Sequence, residues 1–159
     1  LYRYARALSH DPGRAEELVQ ETYKRALAAR RRPEAPSVDQ VRPWVFTILR
    51  RLWQNELRQS RSEALEEWSE NAVDRDGETP ETLVARKLLR SEIIQAIDAL
   101  PEAFREILVL REIEGLSYAE IAQVLECPRG TVMSRLARAR QLLRRQLFRF
   151  APAPREVRP

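Results

Sequence analysis

Arg129, Thr131, Ser134, Arg135 and Arg138 are the residues whose types and spacing most directly suggest chemistry. If the segment is helical, at roughly 100° per residue, Thr131, Ser134, Arg135 and Arg138 fall on one face. Hydroxyls and guanidinium groups on one face are the donors that reach phosphate oxygens and guanine edges. Val132, Leu136, Ala139 and Leu143, spaced four, three and four apart, make a second face that should pack inward. From Cys127 to Phe150 there are seven Arg and no Asp or Glu. A solvated basic face is the plainer reading of the charge alone.

The elements around this segment favour a nucleic-acid role. Gly115 can take the left-handed conformation that ends a helix. Ser117 followed by Glu120 has the spacing of a capping box, which satisfies two free N–H groups at a helix start. Ile121, Ala122 and Leu125 give a short apolar face. Pro128 cannot continue that helix but fits the first turn of the next, so Cys127 and Pro128 mark a tight turn. The second helix is predicted from about Arg129 to Gln146. Helix, turn and arginine-bearing helix in this order form a helix-turn-helix, which lays its second helix in the DNA major groove.

Other chemistries are poorly served. The chain has one histidine, His10, which reads as a surface turn residue, and one cysteine, Cys127, which reads as a small packing residue. No nucleophile–base pair, glycine-rich phosphate loop or metal-ligand cluster appears. Neither an enzyme nor a cofactor is expected. One cysteine excludes an internal disulfide framework. No apolar run approaches a membrane span and no signal-peptide pattern opens the chain, which points to a soluble cytoplasmic protein. The chain begins with Leu1 rather than Met.

Charge is unevenly spread along the 159 residues, whose formal net charge is +4. Residues 1–58 carry twelve basic and seven acidic side chains, residues 59–82 two and eight, and residues 127–159 nine and one. Two basic blocks thus flank an acidic spacer. High charge and few glycines suit an all-α protein. The first block reads as three helices. Leu1 to Ala7 is a short amphipathic piece. Asp11 caps the next helix with Pro12 at its first position, and Ala15, Leu18, Val19, Thr22 and Ala26 form its inward stripe. Ser37 or Asp39 starts the third, with Val41, Val45, Ile48 and Leu52 as its core stripe. Residues 59–82 lose periodicity and read as a flexible linker, with a helical turn around Ala64 to Trp68. In the second block Leu83, Leu88, Ile93, Ile94 and Ile97 suggest a helix ending at Leu100. Pro101 opens the next, whose core side is Phe104, Ile107, Leu108 and Ile113. The proline-rich segment 151–159 reads as a disordered tail.

Several segments match a known family. Ala15-Glu16-Glu17-Leu18-Val19-Gln20-Glu21-Thr22-Tyr23 and Arg42-Pro43-Trp44-Val45-Phe46-Thr47-Ile48-Leu49-Arg50 look like two parts of one conserved region. Ala99-Leu100-Pro101-Glu102, Leu110-Arg111-Glu112-Ile113-Glu114-Gly115-Leu116-Ser117-Tyr118, Gly130-Thr131-Val132 and Ser134-Arg135 look like another. In this order, with a spacer between, the chain resembles bacterial RNA polymerase sigma factors of the extracytoplasmic-function (ECF) type. The resemblance implies two small helical domains: 1–58 as a region 2-like domain, 59–82 as linker, and 83–150 as a region 4-like helix-turn-helix domain.

It also implies roles. Glu17, Gln20, Glu21 and Lys24 would bind the clamp helices of core RNA polymerase. Trp44, Arg50, Arg51, Trp53 and Arg58 would serve the −10 element, where single-strand capture needs cations for the backbone and aromatic surfaces for bases. Trp44 also reads as core, and that reading is preferred. Tyr118, Arg129, Thr131, Ser134, Arg135 and Arg138 would read the −35 element. The acidic linker would lie in the RNA exit path. Promoter DNA and core polymerase are the implied partners, and an anti-sigma factor is a further candidate. The family usually has Asn where Arg51 stands, Asp where Asn55 stands, Lys or Arg where Met133 stands, and a larger residue where Ala137 stands. A stand-alone helix-turn-helix regulator is the competing reading, and it leaves the first block unexplained.

Overall fold

The computed structural model describes residues 1–30, 36–63 and 92–150, with no side-chain detail at 61–63 and 149–150. The expected linker beyond residue 63, its turn at Ala64 to Trp68, the helix start at 83–91 and the tail at 151–159 all lie outside the described residues. Among the described residues the fold is all-α. The helices are α1 (Tyr2–Ser9), α2 (Pro12–Arg30), α3 (Val41–Glu63), α4 (92–98), α5 (Glu102–Leu108), α6 (Tyr118–Val124) and α7 (Arg129–Phe150).

Local rules account for most helix ends. His10, at φ 58°, closes α1 by donating its N–H to the Arg6 carbonyl. Asp11 caps α2, its carboxylate accepting from the Arg14 N–H at 2.6 Å. Ser37 precedes a single 3-10 turn, Val38–Gln40, that feeds α3, and Pro43 occupies its first turn, where a missing N–H has no helical partner to lose. Arg105 is buried and donates to the carbonyls of Asp98 and Leu100 at 2.9 and 3.1 Å, closing the end of α4. After Leu108 the helix widens into a π-helical turn, Val109–Ile113, in which the Glu114 N–H reaches back five residues to Val109. Gly115 then takes φ +68°, a value that a side chain would strain.

The capping box forms as the spacing requires. Ser117 Oγ accepts from the Glu120 N–H at 3.2 Å, and the Glu120 carboxylate accepts from the Ser117 N–H at 2.7 Å. That backbone hydrogen bond, assisted by the Ser117 hydroxyl, holds the Glu120 carboxyl below its ordinary value.

The helices form two clusters that share one core. In the first, α2 packs on α1 and α3; in the second, α7 packs on α5 and α6. α1 then lies against α5 and the π turn, and α3 against α6. Tyr4, Leu18, Leu49, Ile107, Leu110, Leu116, Ile121, Val132 and Leu136 are fully buried in one contiguous cluster.

This contact corrects one expectation. The α3 core stripe is rotated by one residue. Phe46, Leu49 and Leu52 are buried, whereas Val41 is 41% exposed and Val45 and Ile48 are half-buried. The rotation follows from α3 packing on α2 on one side and α6 on another. Helix α3 runs to Glu63. On α4, Ala96 is buried while Ile93 and Ile94 are exposed, and Leu100 is buried just beyond the helix.

Two stability outcomes follow. Leu136→Ala, which opens a cavity behind α7, should cost about 2–5 kcal/mol in chemical denaturation. Because the folded Glu120 carboxyl titrates below the unfolded one, its stabilisation is complete above about pH 4.5 and disappears as pH falls through the folded value. Glu120→Gln keeps an acceptor but cannot titrate. Its stability deficit against the parent chain should therefore shrink in denaturation curves taken below pH 4.5.

Candidate nucleic-acid interface

The α6–α7 unit positions the arginine face. After α6, Glu126 takes φ 52°, the Cys127 N–H returns to the Ala122 carbonyl at 3.0 Å, and the Thr131 N–H bonds Pro128 at 2.9 Å to start α7. Val132, Leu136 and Ala139 are buried and Leu143 half-buried, as the periodicity predicts. The helix continues past Gln146 to Phe150.

On the outer side Arg129, Ser134, Arg135 and Arg138 are exposed and Thr131 is half-buried. Among the described residues these three arginines form no ion pair. Met133 shares this exposed side, with 57% of its surface accessible. Arg140 is used differently: it is tied to Glu112 of the π turn at 2.6 and 3.1 Å. Tyr118 is half-buried beneath Arg111, whose guanidinium carbon lies 4.9 Å from the ring centroid. That contact gives Tyr118 a packing role the sequence did not reveal.

The second group lies on α3. Arg50 pairs with Glu106 at 2.8 Å, with only 18% and 9% of the two side chains exposed. The same Glu106 oxygen accepts from the hydroxyl of fully buried Tyr4 at 2.6 Å. Burial and the neighbouring Glu106 charge together push the Tyr4 phenol well above its ordinary value. Arg51 places Nε and an Nη on one oxygen of Glu126, at 3.1 and 2.6 Å. The hydrogen bond from Arg51 holds the Glu126 carboxyl below its ordinary range.

Trp53 packs against the core, and its indole N–H is buried without an acceptor. It borders a recess of about 360 Å³ lined also by Arg50, Gln54, Glu102, Ala103 and Glu106. Trp44 is only half-buried and is not among the residues packed on the core. The preference for Trp44 as core is therefore corrected: Phe46, two residues on and on another face of α3, is the buried aromatic and meets Tyr4 edge to face at 5.5 Å. Arg58 is exposed.

The third group is the outer face of α2. Gln20 and Lys24 are exposed. Glu17 is engaged by Arg14 at 2.5 Å and Glu21 by Arg25 at 2.8 Å. Tyr23 and Leu27, 52% and 63% exposed, stand on the same outward side. Their spacing of four, outside the inward stripe, was a readable signal that the charge pattern obscured. The three groups do not converge on one surface. The α7 face is open, whereas Arg50 is enclosed against Glu106 and Arg51 is paired with Glu126, both of the second cluster.

Among the described residues no group of His, Cys, Asp and Glu could hold a metal ion, and no helix is long and apolar enough to cross a membrane. Family models match in two places: "Sigma-70 region 2" over residues 1–63 and "Sigma-70, region 4" over residues 90–143. The chain is 35% identical to the ECF RNA polymerase sigma factor EcfG of Rhodopseudomonas palustris, across 93% of this chain and 79% of that protein. It is 47% identical to the RNA polymerase sigma-H factor of Pseudomonas aeruginosa over 46% of this chain and 38% of that one. The sigma factor RpoE of Bartonella quintana, solved with the anti-sigma factor NepR, superposes with a TM-score of 0.70 at 27% identity, covering 92% of this chain and 89% of that one. CnrH, solved with the cytosolic domain of CnrY, shares the fold at 24% identity with a TM-score of 0.64, covering 94% of this chain and 81% of that one. A region 2 helix trio, a region 4 helix-turn-helix and an EcfG-like relative aligned along most of its length make this chain a member of the ECF-type RNA polymerase sigma factors, which direct promoter-specific transcription initiation.

Proposed function

We propose that the open face of α7, with Arg129, Thr131, Ser134, Arg135 and Arg138, reads the −35 duplex in the major groove, with Tyr118 at the N-terminus of α6 beside a phosphate. The observation that carries this is that Arg129, Arg135 and Arg138 have no ion-pair partner among the described residues, on a helix whose opposite face is buried. Guanidinium groups in that state are available for phosphates and for bidentate contacts to guanine. Met133 stands among them as an apolar group suited to a thymine methyl.

In the same reading α3 serves the −10 element. Arg50, Arg51 and Arg58 would hold the backbone of the melted strand, and Trp44 and Trp53 would offer surfaces for unstacked bases. The outer face of α2, with Glu17, Gln20, Glu21 and Lys24 and now Tyr23 and Leu27, would dock on core polymerase. An exposed aromatic and an exposed leucine inside a polar rim are the composition expected of an interface centre. The working units are the first cluster, helical to residue 63, and the second to residue 150. Because a relative of similar fold is solved with an anti-sigma factor, a protein of that class is proposed as a further partner. A sigma factor acts where the chromosome is transcribed, which places the work in the cytoplasm.

A stand-alone regulator would leave the first cluster, matched over residues 1–63, without a task. The decisive experiment is transcription by core polymerase with this chain, on promoters selected from a random library. Initiation at new sites sharing two spaced elements is the expected result, and no initiation above core polymerase alone would sink the proposal. With that system, Arg135→Ala should weaken use of the selected −35 element by roughly 5- to 150-fold, the value of a bidentate base contact. Met133→Lys adds a cation at the duplex and should steepen the salt dependence of holoenzyme–promoter binding by about one unit of log–log slope.

A further inference from the structure

Three glycines lie among the described residues, and two of them have a local reason. Gly115 holds φ +68° after the π turn, and a Cβ on Gly13 would stand 3.4 Å from the Asp11 carboxylate that caps α2. Gly130 has no such reason. It is the second residue of α7, it is exposed, its φ is not in the left-handed region, and a Cβ there would meet no atom within 4 Å. Glycine at such a helical position is less stable than alanine. Neither the backbone nor the packing of the fold explains it.

Its place on the helix supplies one. At about 100° per residue, Gly130 stands roughly 160° around α7 from the buried Val132, in the middle of the outward face. Ser134 and Ala137, four and seven residues on, continue its row, and both are exposed. The Ser134 hydroxyl donates back to the Thr131 carbonyl at 3.1 Å, which keeps that side chain close to the helix. Arg129 and Met133 flank the row on one side, Arg135 and Arg138 on the other. The face is therefore low along its centre and long-armed at its edges. A recognition helix meets base edges with its N-terminal residues. A low centre lets its backbone come near them while the arginines reach sideways, and glycine permits the nearest approach of all. We infer that Gly130 is a positioning residue for −35 recognition, setting the depth at which α7 seats in the major groove. This rests on the proposed reading of α7 as the −35 helix. Bulk added at 130 would hold the first turn off the base pairs and carry the neighbouring arginines beyond the hydrogen-bond range of about 3 Å.

Stability and recognition should then move in opposite directions. Gly130→Ala and Gly130→Leu each put a good helix former into open space, so the thermal midpoint of the full-length chain should hold or rise, by up to about 4 °C. Each variant, assembled with core polymerase, would be compared with the parent for affinity to a selected promoter and to the same promoter with its −35 element scrambled. The ratio of the two affinities is the readout, because a loss of folding or of polymerase binding lowers both alike. The ratio should fall by about ten-fold in Gly130→Ala and further in Gly130→Leu, with affinity for the scrambled promoter unchanged. An unchanged ratio in both variants, while Arg135→Ala still lowers it, overturns the depth role and leaves α7 as the −35 helix. If Arg135→Ala also leaves the ratio unchanged, the reading of α7 falls and the role of Gly130 falls with it. A lowered thermal midpoint with equal loss on both promoters would make Gly130 a requirement of folding and overturn the inference as well.

Discussion

The carboxylate of Glu106 is the point on which the two clusters turn. It is nearly inaccessible and takes the hydroxyl of Tyr4 and the guanidinium of Arg50 on the same oxygen. Tyr4 comes from the first helix and Arg50 from the third, so one side chain of the second cluster fixes two helices of the first. A carboxylate taken out of water must find such partners, and deleting one of them leaves an uncompensated charge. Ion pairs of this kind contribute little net stability compared with apolar packing. What they supply is registry. Phe46 and Tyr4 meet edge to face beside this group, and Arg42 and Arg3 reach the carbonyls of Glu114 and Ile113 at the other end of the seam.

How much of this was legible depends on the range of the interaction. The capping box at Ser117 and Glu120, the αL glycine at Gly115, the Asp11 cap and the turn at Pro128 rest on contacts within four residues, and sequence spacing states them directly. The inward face of α7 was also readable, because its partners all lie on one side. Helix α3 was misphased because it packs on two sides at once, so its buried residues do not form the single stripe that periodicity seeks. Glu106 and Glu126 gave no signal as partners of arginines 56 and 75 positions away. A lone acid in a helix or a turn reads as solvated until the chain is folded. Trp44, expected in the core, stays off it for the same reason.

The contrast between the two arginine-bearing helices is then a matter of geometry rather than composition. Both carry arginines, but among the described residues the outer face of α7 is exposed, while α3 lies between α2 and α6. The helix-turn-helix is rigidified from several sides: Arg140 to Glu112, Arg111 over Tyr118 and to the Leu116 carbonyl at 2.8 Å, and Ser117 to Glu120. Such a frame holds the α7 side chains at fixed height and angle, which is what recognition of base edges at hydrogen-bond range demands.

The π turn at Val109–Ile113 aims neighbouring residues at different parts of the molecule. Glu112 goes to α7, while the Ile113 and Glu114 carbonyls go to arginines of α1 and α3. Dropping or adding one residue here would swing everything downstream by about 100° around the helix axis and detach both sets together. Homologues should accordingly vary in side chain along this stretch far more freely than in length, and an alignment gap there would mark a chain whose two halves no longer meet in this way.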